Sequence, residues 1–103
     1  MLEREVEGRL GAALRKEGCL FYKWVSPGVS GVPDRICITP SGRITFIELK
    51  TARGRVSEQQ RVVIGKLRAH GCDVVVLHGM AEALNFVEII KERERTENRN
   101  GNL

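Results

Sequence analysis

Residues 34–50 read Asp34-Arg35-Ile36-Cys37-Ile38-Thr39-Pro40-Ser41-Gly42-Arg43-Ile44-Thr45-Phe46-Ile47-Glu48-Leu49-Lys50, two apolar, β-branched runs on either side of one turn. Proline suits the second position of a type I turn, and glycine suits the left-handed position that follows. Thr39–Arg43 is therefore expected to be a three-residue hairpin loop ending in a bulge. Thr39 then faces Arg43, Ile38 faces Ile44, Ile36 faces Phe46 and Asp34 faces Glu48. Opposed residues of an antiparallel pair share one side, with Cβ atoms ~4.5–5.5 Å apart. Lys50 lies two residues past Glu48 and points the same way.

The turn chemistry thus gathers two carboxylates and an ammonium at one end of a hairpin, on a side otherwise made of Ile36, Ile38, Ile44 and Phe46. Like charges that close on a half-buried surface repel. A metal cation relieves the repulsion; without one, a carboxylate holds its proton. Paired carboxylates with open positions suit Mg²⁺, a hard ion that keeps waters and binds phosphate oxygens. An ammonium beside them can position water or stabilise charge on a phosphoryl transition state. Glu-x-Lys alone is a weak signal, since an ion pair on an edge strand gives the same pattern. Asp34 sharpens it: the chain has only two aspartates, and this one follows a Gly-x-Pro loop at the one register that faces Glu48.

Outward from the hairpin, Leu2–Glu17 reads as an amphipathic helix, with Leu2, Val6, Leu10, Ala13 and Leu14 at helical spacing and Gly18 as its stop. Cys19–Val25 reads as a strand whose Tyr22 and Trp24 are expected in the core, with Lys23 facing the other way. Ser26–Pro33 must be a loop, and its position before Asp34 suits it to shape a substrate entrance. Strands are expected at Arg35–Thr39 and Arg43–Lys50, a helix over Ser57–His70, and a strand buried on both faces at Asp73–Leu77. A third helix runs from Met80 to about Glu94, with Leu84, Val87 and Ile90 on one face, free to pack on the sheet or to line a dimer interface. The order is an αβββαβ core followed by a helix: an α/β fold with a mixed sheet flanked by helices. The strand–helix–strand step from Arg43 to Leu77 predicts a right-handed parallel crossover. A single domain is expected over 1–95, with the polar tail 96–103 frayed.

The 103 residues fit one domain, and 42% hydrophobic content supplies a core. The longest apolar runs, Cys19–Tyr22 and Val74–Leu77, are four residues each, far short of the ~20 a membrane helix needs. The N-terminus has no apolar stretch behind a basic one, so no signal peptide is expected. Cys19, Cys37 and Cys72 form no metal-binding spacing and read as buried, reduced thiols of a cytosolic protein. His70 and His78 are not spaced as a metal pair and read as structural. Of a net charge of +4, the segment Lys50–Arg68 carries +5, from Lys50, Arg53, Arg55, Arg61, Lys66 and Arg68 against Glu58. Such a concentrated basic stretch is the footprint of a polyanion partner, or an ordinary solvated face.

Gly31-Val32-Pro33-Asp34, Glu48-Leu49-Lys50 and Gln60 together resemble the PD-(D/E)XK nuclease superfamily, and within it the standalone virus-type replication–repair nuclease (VRR-NUC) domain. The resemblance runs from about Glu7 to Leu77 and implies a restriction-endonuclease-like fold. It implies that Asp34 and Glu48 bind Mg²⁺ or Mn²⁺, that the Leu49 carbonyl adds a ligand, and that Lys50 assists the attacking water. The resemblance implies an acid on the first helix; Glu7 is the match and Glu3 the rival, and the plain alternative for both is an exposed charge near a helix N-terminus. Gln60 is implied to orient the site, although Ser57-x-x-Gln60 also fits a helix capping box.

The expected function is therefore a metal-dependent endonuclease acting on branched DNA, Holliday junctions in particular, as a homodimer. Arg53, Arg55, Arg61, Lys66 and Arg68 would hold the DNA backbone. A cytoplasmic setting is expected, and a phage or its bacterial host fits equally. Two alternatives stand beside it: a non-catalytic DNA-binding module, and a nicking or restriction-like nuclease on duplex or flap DNA.

Overall fold

The computed structural model describes residues 1–99. Its elements are α1 (Glu3–Lys16), β1 (Leu20–Lys23), β2 (Arg35–Ile38), β3 (Ile44–Lys50), α2 (Glu58–Ala69), β4 (Asp73–His78) and α3 (Gly79–Arg99). The strands form one mixed sheet in the order β1-β2-β3-β4, antiparallel until the parallel β3–β4 pair.

The hairpin register is the expected one: Ile38 faces Ile44 and Ile36 faces Phe46. The turn closes through Gly42 N–H to Thr39 O at 2.8 Å and Thr39 N–H to Arg43 O at 2.9 Å, with Gly42 at φ +88°. A side chain there would strain the backbone, so the glycine sets the register.

Alternation along the strands divides the sheet into two faces. Phe21, Cys37, Ile47, Leu49, Val75 and Leu77 point to one side and pack with Val6, Leu10 and Leu14 of α1 and Ala83, Phe86, Val87 and Ile90 of α3. This is the hydrophobic core. The opposite face carries Leu20, Tyr22, Ile36, Ile38, Phe46 and Glu48, and α2 covers it only at the β4 end, where Ile64 and Val74 are buried. The expected burial of β4 on both faces holds at Val74 under α2 and Leu77 under α3, while Val75 and Val76 are half-buried on this edge strand.

Three expectations are corrected. Tyr22 is 53% exposed and Trp24 half-buried, because the alternation that pairs them aims them at the open face. Trp24 packs instead against Phe46, ring centroids 5.0 Å apart and the planes tilted by 38°. Val87 and Ile90 are core residues while Leu84 stays exposed, so α3 packs on the sheet and α1. Helix α3 also runs beyond Glu94, since Glu94 accepts hydrogen bonds from the Ser41 backbone and hydroxyl and Glu97 pairs with Arg43. The turn thereby anchors the helix past the point where fraying was expected, and residues 100–103 lie outside the described residues.

All three cysteines are free thiols; Cys19 and Cys37 are buried and Cys72 half-buried. Burial pushes the Cys37 thiol up to about 12, so it is inert at neutral pH. No described helix is long and apolar enough to cross a membrane.

Candidate functional site

Asp34 sits just before β2, where its backbone carbonyl accepts the Trp24 N–H at 2.9 Å. Its Oδ1 accepts the Leu49 N–H across the hairpin at 3.3 Å. Burial first, and then the charge of Glu48, push the Asp34 carboxyl up to about 6. Glu48 is 4% exposed, and burial raises its pKa against the pull of the Lys50 ammonium, whose Nζ lies 3.3 Å from Glu48 Oε2. The pair expected from the turn is thus brought together with Lys50, and the charge of Glu48 makes Asp34 costlier to ionise.

Gln60 joins them. Its backbone N–H donates to Ser57 Oγ and its Oε1 accepts the Ser57 N–H, which completes the capping box of α2. The same side chain donates from Nε2 to Glu48 Oε2 at 2.9 Å. The capping and site readings are both realised, one through each end of the amide. Gly31 makes this convergence possible: at φ +91°, a Cβ on it would lie 2.8 Å from the Gln59 backbone. The loop leading into Asp34 therefore rests directly on the first turn of α2.

Glu48 Oε2 receives both Lys50 and Gln60, whereas Oε1 is buried without a partner among the described residues. A buried carboxylate oxygen left unpaired is costly. Hard oxygen donors with one position open fit Mg²⁺ or Mn²⁺, whose charge would remove that cost. Among the described residues, no three acidic, histidine or cysteine side chains converge to hold an ion. The donor set is a pair of carboxylates, with no third carboxylate drawn in.

The helix acid divides unexpectedly. Glu7 does not join Asp34 and Glu48; it is bound by the guanidinium of Arg35 on the core-facing side of the sheet. Glu3, one turn earlier and exposed, is the acid whose charge raises the pKa of both Asp34 and Glu48. Arg35 also donates to the Asp34 carbonyl oxygen at 2.9 Å. Sequence reasoning passed over this arginine, although a charge between Asp34 and Ile36, at a position facing Ile47, was a visible signal.

The basic stretch is less uniform than its charge. Arg53, Arg55, Arg61 and Lys66 are exposed. Arg61 lies 3.6 Å from Glu58, and Arg68 donates to the Val74 carbonyl at 2.9 Å, tying α2 to β4. Arg61 and Arg68 line a hollow of about 420 Å³ with Val76, the strand neighbour of Glu48. Both histidines have local partners, His70 Nδ1 at 2.7 Å from the Lys66 carbonyl and His78 beside Glu82. A hollow of about 480 Å³ lined by Arg43, Asp73 and Arg93 lies at the hairpin-turn end, away from the paired carboxylates.

Residues 12–81 match the VRR-NUC domain model. The chain is 40% identical over 75 residues to "Putative nuclease p44" of Acyrthosiphon pisum secondary endosymbiont phage 1, covering 73% of this chain and 81% of that protein. A solved structure described as a VRR_NUC domain superposes with a TM-score of 0.79 at 26% identity, over 84% of this chain and 94% of the other. A second, a VRR_NUC domain protein at 17% identity, shares the fold with a TM-score of 0.63 over 85% of this chain and 86% of its own. The fold and these matches thus define a nuclease domain of the restriction-endonuclease-like α/β class. The chain belongs to the VRR-NUC family.

Proposed function

We propose that the protein is a metal-dependent endonuclease that hydrolyses phosphodiester bonds in branched DNA, with the four-way Holliday junction as its preferred substrate. The observation that carries the chemistry is the buried Oε1 of Glu48, without a partner among the described residues, on the face it shares with Asp34. Asp34, Glu48 and the Leu49 carbonyl would hold Mg²⁺ or Mn²⁺. Bound there, the ion would polarise a phosphate oxygen and make water more acidic. Gln60 keeps Glu48 oriented through Oε2, and the Leu49 N–H does the same for Asp34. Lys50, against Glu48, positions the attacking water and offsets charge that builds on the phosphate. Of the helix acids, Glu3 is better supported than Glu7 as an accessory to the site, because its charge reaches both carboxylates.

Arg53, Arg55, Arg61 and Lys66 would hold the DNA backbone, with Arg68 contributing from its anchored position. Contacts of this kind read phosphate and shape rather than base sequence. A junction presents two equivalent strands and this chain one site, so a twofold homodimer is the economical arrangement. The open sheet face supports it: Leu20 and Ile44, each at 47% exposure, lie at the end remote from Asp34, and Tyr22, at 53%, lies in the next row of the same face. Contiguous apolar surface of that kind is characteristic of an interface. The working location is the cytoplasm of a bacterial cell, with the protein encoded by phage or host.

Labelled duplex, flap, fork and four-way junction substrates, incubated with Mg²⁺, Mn²⁺ or EDTA, test the assignment. Paired junction nicks in either metal and none in EDTA are expected. Preferential duplex cutting would replace junction resolution with nicking. Sedimentation with junction DNA should give a dimer, and a monomer would overturn the twofold arrangement.

A further inference from the structure

On the core-facing side of β1 and β2, at the edge where α1 ends its cover, Lys23 and Arg35 are direct partners in the antiparallel register. Directly opposed like charges destabilise a sheet. Arg15 of α1 faces the same cleft of about 270 Å³, with Glu7, Gly8 and Phe21 in its walls. Three cations thus surround one carboxylate, and Glu7 is already taken by Arg35. Among the described residues, Lys23 and Arg15 have no carboxylate within ion-pair distance.

Two glycines open the helix wall. A Cβ at Gly11 would lie 2.9 Å from Phe21 Cδ2 and 3.0 Å from Arg15 Nη2, while one at Gly8 would meet nothing within 4 Å. Glycine weakens a helix interior, yet here it leaves room for a guanidinium and for a ligand. The cleft adjoins the candidate metal site through Arg35, whose Nη1 donates to the Asp34 carbonyl and lies 3.9 Å from Asp34 Oδ2.

We propose that Arg15, Lys23 and Arg35 form a phosphate subsite that holds a DNA backbone phosphate next to the one cleaved, on the side of Asp34 opposite α2. The subsite rests on the nuclease reading. It gives the DNA a second electrostatic anchor, so the backbone is held on both sides of the carboxylates. Glu7 fixes Arg35 and leaves Lys23 and Arg15 free to meet the phosphate.

The test is anisotropy of a labelled junction in EDTA across a salt titration. Wild type is compared with Arg15→Ala, Lys23→Ala, Lys23→Arg, Gly8→Ala, Gly8→Glu and Arg53→Ala. Each lost phosphate contact should lower the slope of log affinity against log salt by about 0.9. Arg15→Ala and Lys23→Ala should each show this, and Lys23→Arg should restore it. Gly8→Glu places a carboxylate in the cleft and should weaken binding, whereas Gly8→Ala should not; thermal melting checks that both stay folded. Wild-type slopes in Arg15→Ala, Lys23→Ala and Gly8→Glu, beside a reduced slope in Arg53→Ala, would overturn the subsite alone. No salt-dependent binding by wild type would also overturn the subsite, while the nuclease reading falls only if no substrate is cut in Mg²⁺ or Mn²⁺.

Discussion

Cys37, Ile47 and Leu49 disappear beneath α1 and α3, while on the reverse of the same sheet Leu20, Tyr22 and Ile44 remain about half exposed and Glu48 is buried with one oxygen unpaired among the described residues. Ile47 and Glu48 are chain neighbours on opposite faces. On the covered face, Cys37, Ile47 and Leu49 pack within one apolar cluster with α1 and α3. On the open face, charged groups are desolvated without full compensation, an arrangement expected where a ligand completes the structure. The contrast separates residues that make the fold from the carboxylates that await a cation.

Substituting those two neighbours is the sharpest way to break the contrast. Ile47→Ala should cost about 2–5 kcal/mol by urea unfolding, because it opens a cavity in a fully buried site. Glu48→Gln should cost much less in EDTA, because the loss of a desolvated charge offsets the Lys50 ammonium left without its partner, which at 18% exposure still reaches water. Equal losses in both would mean that Glu48 is a structural group. Gly31→Ala comes next. Strain at its positive φ and the clash with Gln59 should cost about 1–3 kcal/mol and reduce cleavage as Asp34 and Gln60 are forced apart. A stable, fully active Gly31→Ala protein would show that the loop contact does not position the site.

The smallest effect is on pH dependence. The folded-state Asp34 value of about 6 lies above its ordinary value, so the folded protein binds this proton more tightly than the unfolded chain. The contribution is fully present below the unfolded value, near pH 4, and is lost as pH rises through about 6. In EDTA, stability should therefore fall over that window by roughly 1–2 kcal/mol, allowing for the partial exposure of the group. Glu48, also raised, acts in the same direction. Asp34→Asn should flatten the decline and saturating Mg²⁺ should oppose it; stability that rose through the window with Asp34 intact would contradict the assignment.

How far the site could be read from the chain follows the same division. The β2–β3 register was legible because Pro40 and Gly42 permit one turn, and with it came the facing of Asp34 and Glu48. The β1–β2 register was not, since a long loop joins those strands and its length permits many registers; the opposition of Lys23 and Arg35 emerges only in three dimensions. The rotation of α1 about its axis is likewise set by packing of Val6, Leu10 and Leu14, which turns Glu7 toward Arg35. Alternation put Tyr22 and Trp24 on one side of β1, but the side the helices cover depends on contacts distant in sequence. The length of α3 depends on Glu94 reaching Ser41, a contact no local pattern reports.

The central claim is that the open face is a metal-charged nuclease site, and cleavage of a labelled four-way junction by wild type and Glu48→Ala, each in Mg²⁺, Mn²⁺ and EDTA, tests it most directly. The account predicts metal-dependent paired nicks by wild type and a loss of at least about a thousandfold in the variant, with junction binding retained. Cleavage by Glu48→Ala at the wild-type rate, or tight binding by wild type with no cleavage in either metal, would contradict it.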